Sequence, residues 1–152
     1  MNLIIQGANI ATPDLKHLAK LAAITEAAMR GELDYPQSLR ERVALLKGLP
    51  AAALKRVYDE RVRLSPGAEI MTARFRRLGI RTLLVSGGFT FFTERLRERL
   101  QLDWTRSNVL DIVDDKLTGL VRGEIVDADA KRQALLDPVS YTHLTLPTIL
   151  LV

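Results

Sequence analysis

Leu83-Leu84-Val85-Ser86-Gly87-Gly88-Phe89 decides how this chain is read: an apolar run stops at a hydroxyl and two glycines, just ahead of a helical pattern. The run from Thr82 to Val85 carries no charged residue. It suits a parallel strand buried on both faces, and such strands present ligands at their carboxyl ends. Ser86 and Gly87 fall at that end. Glycine lets backbone N–H groups approach an anion, serine adds a hydroxyl donor, and the next helix offers the positive end of its dipole. The stretch therefore reads as a phosphate cradle; a plain strand-to-helix turn without a ligand is the reading these seven residues leave open beside it.

Downstream, the pattern predicts a helix over Phe91–Leu100, a hairpin of Asn108–Val113 and Leu117–Val121 around Asp114-Asp115, a strand-like Gly123–Val126 and a helix over Asp127–Leu136. Upstream, Ser65-Pro66 opens a helix that Gly79 ends, just before a strand over Arg81–Val85. Farther back lie a helix from Ala51 to Arg63 and one from Pro36 to Lys47, stopped by Gly48 with Pro50 beyond. Met1–Gln6 reads as a short strand, and Asp14 caps a helix through His17 toward Met29, with Gly31 as an interruption. Helical residues 22–64 thus precede a strand-helix-strand pattern, as an insert on an α/β core would. Within the Pro36 helix, Leu39, Val43 and Leu46 form the apolar stripe and Arg42 falls in it. A guanidinium on an inward face needs an anionic partner or a route to water. An internal ion pair and a fork reaching a substrate carboxylate both satisfy that need.

Composition narrows the chemistry. The chain has 152 residues, 47% of them hydrophobic, enough for one core with a small appendage. It has no cysteine, which removes disulfides, thiolate catalysis and cysteine-bound zinc, and its two histidines make a histidine metal site or a serine-histidine triad a poor expectation. No segment reaches the roughly 20 apolar residues of a membrane span, and Met1–Gly7 lacks the pattern of a signal peptide, so a cytoplasmic, non-membrane protein is expected. The net charge of +4 is spread over arginines interleaved with acids, with few aromatics to stack bases. This argues for a small anionic ligand and against nucleic acid.

Three segments in order, AAITEAAMRGELDYPQSLRERVALLKG at 22–48, LLVSGGFTFF at 83–92 and SNVLDIVDDKLTGLVRGEIVDADAK at 107–131, resemble the phosphoserine phosphatases of the haloacid dehalogenase superfamily. The resemblance implies an α/β fold with a partial Rossmann-like core, an incomplete sheet and a small helical cap. It implies magnesium-dependent hydrolysis of O-phosphoserine to serine and phosphate, a step of serine biosynthesis. Residue by residue, Ser86 and Gly87 match the motif that holds the phosphate. Lys131 matches the lysine that neutralises the phosphoryl group, and Arg42 the cap arginine that takes the substrate carboxylate. Met29 and Tyr35 match cap positions that close over the substrate.

The same resemblance exposes gaps. The family's D-x-D-x-T strand, with its aspartyl nucleophile, does not precede the cap, and the later G-D-x-x-N-D loop that completes the magnesium site does not follow. Asp127-Ala128-Asp129 has the spacing but not the position, and is read as the acidic first turn of a helix. The expected organisation is therefore a remnant of an extra N-terminal domain at 1–21, a cap at 22–64, a partial core at 65–137 and a foreign-looking tail at 138–152. Met1–Gln6 is one candidate for the slot of the missing central strand, and the sequence leaves open whether it takes it. The TILLV ending is expected to promote self-association unless it packs. The chain as written is expected to bind no magnesium, to hold phosphoserine or phosphate weakly, and to lack turnover. A non-catalytic phosphate- or phosphoserine-binding module, a fragment that docks on an intact phosphatase subunit, and a chimeric assembly joined at Leu21-Ala22 and Asp137-Pro138 are the alternatives.

Overall fold

The computed structural model describes the backbone of residues 15–136 and 148–151, and the side chains of 19–130, 132 and 133. In chain order the elements are α1 (Leu15–Met29), α2 (Tyr35–Ala44), α3 (Ala52–Arg61), α4 (Ala68–Arg77), β1 (Thr82–Phe89), α5 (Thr90–Leu100), β2 (Trp104–Val113), β3 (Lys116–Arg122), α6 (Ala128–Leu136) and β4 (Thr148–Leu151). They group into two compact units, Met1–Val62 with Leu110–Arg122 and Arg63–Val109 with Gly123–Val152. The expected mixed α/β architecture is present.

In the first unit, α2 begins at a capping box. Asp34 Oδ1 accepts the Gln37 N–H at 2.7 Å and Gln37 Oε1 accepts the Asp34 N–H at 3.2 Å, with Pro36 in the first turn. The stripe Leu39, Val43 and Leu46 is buried, and Ala53, Leu54 and Val57 of α3 and Leu110 and Leu117 of the hairpin are buried with it. The link from α2 to α3 is lashed to β3 by backbone: Gly48 N–H to Leu117 O and Leu117 N–H to Leu49 O, each at 2.8 Å. Gly119 has φ +85°, and a Cβ on it would lie 3.0 Å from Lys47 Cβ and 3.2 Å from Ala44 O, so only glycine lets α2 approach β3 this closely. Asp114 and Asp115 take φ +48° and +58°, the pair of left-handed residues that a two-residue hairpin turn demands. The hairpin strand starts at Trp104 rather than Asn108, because residues 104–106 pair with β1.

In the second unit β1 is the centre. It pairs in parallel with β2 (Leu83↔Trp104, Leu84↔Thr105, Val85↔Arg106, Phe89↔Asn108) and with β4 (Thr82↔Thr148 through Val85↔Leu151). Leu83 and Val85 pack on one face with Val126, Trp104 and Ala130; Leu84 packs on the other with Leu96, Leu100, Leu102 and Ala68. The strand is thus buried on both faces, as the apolar run predicts. Between Val85 and Phe89 it spends three residues where β2 spends one, so Ser86–Gly88 bulge out of the ladder even though the strand extends to Phe89. Gly79, φ +70°, closes α4: Ile80 N–H reaches Phe75 O at 2.9 Å and Gly79 N–H reaches Arg76 O at 3.1 Å, a Schellman motif that delivers the chain into β1.

Two expectations are corrected here. A strand has two edges, and those of β1 over Thr82–Val85 are taken by β2 and β4, so the slot proposed for Met1–Gln6, which lie outside the described residues, is filled by Thr148–Leu151 from the TILLV ending. That ending pairs by its backbone instead of hanging free. Gly123–Val126 is not a strand, although Ile125 and Val126 are buried, because the Val126 N–H is spent on a side chain rather than on a ladder.

Asp103 fastens the start of the sheet. Its carboxylate accepts from Arg81 Nη1 at 2.6 Å, from the Thr82 N–H at 2.7 Å and from the Thr82 hydroxyl at 3.1 Å. Burial pushes its pKa up, but the Arg81 guanidinium and the two Thr82 donors outweigh burial and hold it below the usual carboxylate range. A lowered folded pKa contributes stability that is full above the unfolded value of about 3.9 and is lost as pH falls through the folded value. Asp103→Asn should therefore cost about 1–3 kcal/mol at pH 7, with the gap to wild type shrinking below about pH 4; denaturant melts at several pH values measure both, and a pH-independent gap would sink the assignment. In the first unit, Ser38 is 1% exposed and its hydroxyl has no partner among the described residues. Ser38→Ala should raise stability by about 1 kcal/mol, and a lowered melting temperature would count against an orphaned hydroxyl.

Candidate functional site

The candidate loop, Ser86–Gly88, is built around one peptide group. Ser86 Oγ accepts the Gly88 N–H at 3.0 Å, and the carbonyl at the other end of that same Gly87–Gly88 peptide accepts Asn108 Nδ2 at 2.9 Å. The peptide plane is pinned at both ends. Because Ser86 Oγ is used as an acceptor, its own proton must be given outward, and among the described residues no acceptor takes it. Neither Gly87 nor Gly88 has positive φ. The constraint at Gly88 is one of space instead, since a Cβ there would stand 3.1 Å from Ser86 Oγ, which would have to give by a few tenths of an ångström.

Helix α5 follows directly, with Phe89 at its N-cap and no side-chain cap on its first turn. It is anchored to β2 by the Thr93 and Ser107 hydroxyls, 2.7 Å apart, and by the Thr105 hydroxyl donating to Glu94. The Thr105 hydroxyl, and behind it Arg97, hold the Glu94 carboxyl below the usual range against the opposing pull of burial.

Asn108 carries the loop's geometry to a second segment. Its side-chain oxygen accepts the Val126 N–H at 2.7 Å, and the residue is fully buried. Asp127 comes next and caps α6, its Oδ1 accepting the Ala130 N–H at 2.8 Å. Asp127 thus precedes the helix instead of beginning it, and its carboxylate is engaged as a cap, in keeping with the acidic-first-turn reading of Asp127-Ala128-Asp129. Lys131 sits on α6; its side chain lies outside the described residues. Ser86, Gly87 and the backbone of Lys131 therefore belong to one unit, linked through Asn108.

Arg42, Tyr35 and Met29 belong to the other unit. Arg42 is half-buried on the apolar face of α2, its Nε donating to Ser38 O at 3.0 Å, and no described carboxylate pairs with it. Tyr35 is the first residue of α2 and half-buried; Met29, at the end of α1, is 84% exposed. Among the described residues no three acidic or histidine side chains converge as a metal site would need. The described donor set does not fit magnesium, which wants an octahedral shell of oxygens that includes carboxylates.

Residues 3–144 match the model of the haloacid dehalogenase-like hydrolases. The chain belongs to that family. It is similar to a phosphoserine phosphatase of Polaromonas sp., 53% identical over 124 residues that make up 78% of this chain and 52% of that protein. It is 52% identical over 116 residues to a phosphoserine phosphatase of Streptomyces coelicolor, covering 76% of this chain and 28% of that one. Among solved structures of the family, the unliganded crystal structure of a probable phosphoserine phosphatase from Vibrio cholerae superposes with TM-score 0.78 at 39% identity, covering 88% of this chain and 41% of that one. A phospho-aspartyl intermediate analogue of a phosphoserine phosphatase superposes with TM-score 0.72 at 34% identity, over 88% of this chain and 63% of that one. The chain spans about half the length of the Polaromonas sp. relative and of a curated phosphoserine phosphatase of Albidiferax ferrireducens. Among the described residues no helix is long and apolar enough to cross a membrane.

Asn108 and Asp103 escaped the sequence reading. The one available signal for Asn108 was an amide side chain in the middle of a β-prone stretch, Ser107-Asn108-Val109-Leu110, where asparagine is disfavoured unless it has a task. The spacing in the loop leads to an expectation for Gly88→Ala. The new Cβ should force Ser86 Oγ off the Gly88 N–H, lowering affinity for inorganic phosphate by about tenfold, the loss of one good hydrogen bond. Phosphate-titrated amide spectra of Gly87 and residue 88 measure it, and an unchanged affinity would show the Ser86 orientation to be irrelevant.

Proposed function

We propose that this chain is a phosphoserine-phosphatase-type ligand module that holds a phosphate, and phosphoserine through it, without turning it over. The reading is supported first by the pinned Gly87–Gly88 peptide, which leaves the Ser86 proton to be donated. Its chemistry suits a phosphoryl dianion, which is recognised by donors and cations aimed at its oxygens. In this assignment Ser86 and Gly87 hold the phosphate, Lys131 neutralises its charge, and Arg42 takes the substrate carboxylate while Met29 and Tyr35 close over it. Arg42 suits the role because its guanidinium has no carboxylate partner among the described residues. Magnesium is the family's cofactor; we assign it no step here, since the described donors do not fit it.

The lack of turnover follows from chemistry. Covalent phosphoryl transfer needs an aspartyl nucleophile and a second carboxylate to move the proton, and the 152-residue sequence has no D-x-D-x-T ahead of its cap. Phosphate release from O-phosphoserine with added magnesium should be no faster for the wild-type chain than for the Ser86→Ala, Arg42→Ala double variant. Turnover that disappears in the double variant would overturn the non-catalytic reading. In binding titrations Arg42→Ala should weaken phosphoserine by about tenfold or more, the worth of a charged hydrogen bond, while leaving inorganic phosphate unchanged. Equal losses for both ligands would remove Arg42 from the carboxylate role.

A further inference from the structure

We propose that Asn108 is the positioning residue of the phosphate loop, setting the direction of the Ser86 hydroxyl through the Gly87–Gly88 peptide. This rests on the reading of Ser86–Gly88 as the phosphate loop.

Asn108 is fully buried, and both ends of its amide are used, Nδ2 donating to Gly87 O at 2.9 Å and Oδ1 accepting the Val126 N–H at 2.7 Å. A buried amide with both ends satisfied is fixed in rotation, because a flip would set donor against donor and acceptor against acceptor. Its donor end acts on a peptide whose N–H already binds Ser86 Oγ. Rotation of that peptide would withdraw the Gly88 N–H from the hydroxyl and free Ser86 to turn. Asn108 resists that rotation from the carbonyl side. It touches no ligand in this account and acts only through Ser86.

The position of the loop in the sheet explains why such a brace is needed. Between Val85↔Arg106 and Phe89↔Asn108 the register with β2 shifts, so Ser86–Gly88 depart from the regular ladder. The brace comes from the first residue of β2 that resumes the register, the nearest point on that strand from which a short side chain meets Gly87 O. At its other end it fastens Val126, one residue before the Asp127 cap of α6, so the loop and the start of the Lys131 helix share one fixed point.

The test is a titration of the full chain with inorganic phosphate, followed through backbone and side-chain amide resonances. In wild type the Gly87 and Gly88 amides and the Asn108 side-chain NH2 should shift along one binding curve. Glycine shifts with a silent Asn108 side chain would overturn the inference while leaving the phosphate loop intact; no glycine shift at all would overturn the phosphate reading and this inference with it. Asn108→Ala should weaken phosphate by about tenfold, as should Ser86→Ala. The double variant should bind no more weakly than Ser86→Ala alone, because a residue acting through Ser86 has nothing left to position once the hydroxyl is gone. Multiplied losses in the double variant would make Asn108 a merely structural residue. Should Asn108→Ala not fold, the wild-type titration still decides, since a silent side chain there is sufficient to refute the role.

Discussion

The structure depends on how one short strand is held at its two ends. β1 is buried on both faces and bonded along both edges, so its backbone has no freedom in the middle. Its ends are fixed by side chains from around the same neighbouring strand. Asp103, just before β2, takes the Thr82 N–H and hydroxyl, and Asn108, within β2, takes the Gly87 carbonyl. A charged clamp serves the end near Arg81, where a carboxylate keeps a cationic partner and contact with water. A neutral amide, itself fully buried, serves the other end, where an unpaired charge in its place would be far more costly.

That division explains the bulge at Ser86–Gly88. A regular ladder there would consume the N–H and carbonyl of the Gly87–Gly88 peptide in strand pairing, and Ser86 would have no backbone donor to orient it. Taking three residues where the partner takes one shifts the register there, and the Ser86 hydroxyl and the Asn108 amide bond the two ends of the Gly87–Gly88 peptide. The tight fit at Gly88 follows from the same geometry. With ordinary φ at both glycines, the requirement is the space beside Ser86 Oγ and not a left-handed backbone.

What could be read from the sequence was what local pattern determines. Leu39, Val43 and Leu46 are buried as their spacing predicts, Asp114-Asp115 turns the hairpin, and Gly79 ends its helix beside β1. The failures share a different origin. Gly123–Val126 looks like a strand because Ile125 and Val126 are buried apolar residues, yet the Val126 N–H answers an asparagine 18 residues earlier. Asp103 is a polar residue in a short connection, and only the fold brings Thr82 to it. The β4 pairing is equally invisible locally, since Thr148–Leu151 has the composition of a strand and nothing in it names its partner. Long-range bonds between side chain and backbone leave no periodic trace, so the clamps at the two ends of β1 were the hardest part of the candidate site to foresee.

Holding a phosphate and hydrolysing one make opposite demands on charge. A bare carboxylate beside a phosphoryl dianion repels it, so the family's nucleophile is tolerable only with a cation between the two. The loop in this chain presents no carboxylate of its own: a serine hydroxyl whose proton has no acceptor among the described residues and a glycine-rich backbone, followed by a helix start with no side-chain cap. Of the carboxylates on the elements that follow it, Asp127 is engaged on its helix cap and Glu94 with Thr105 and Arg97. Such a set attracts an anion without needing a metal to offset repulsion. The proposed phosphate-holding role thus draws on hydrogen-bond donors, whereas the chemistry that would consume a phosphate requires carboxylates as well.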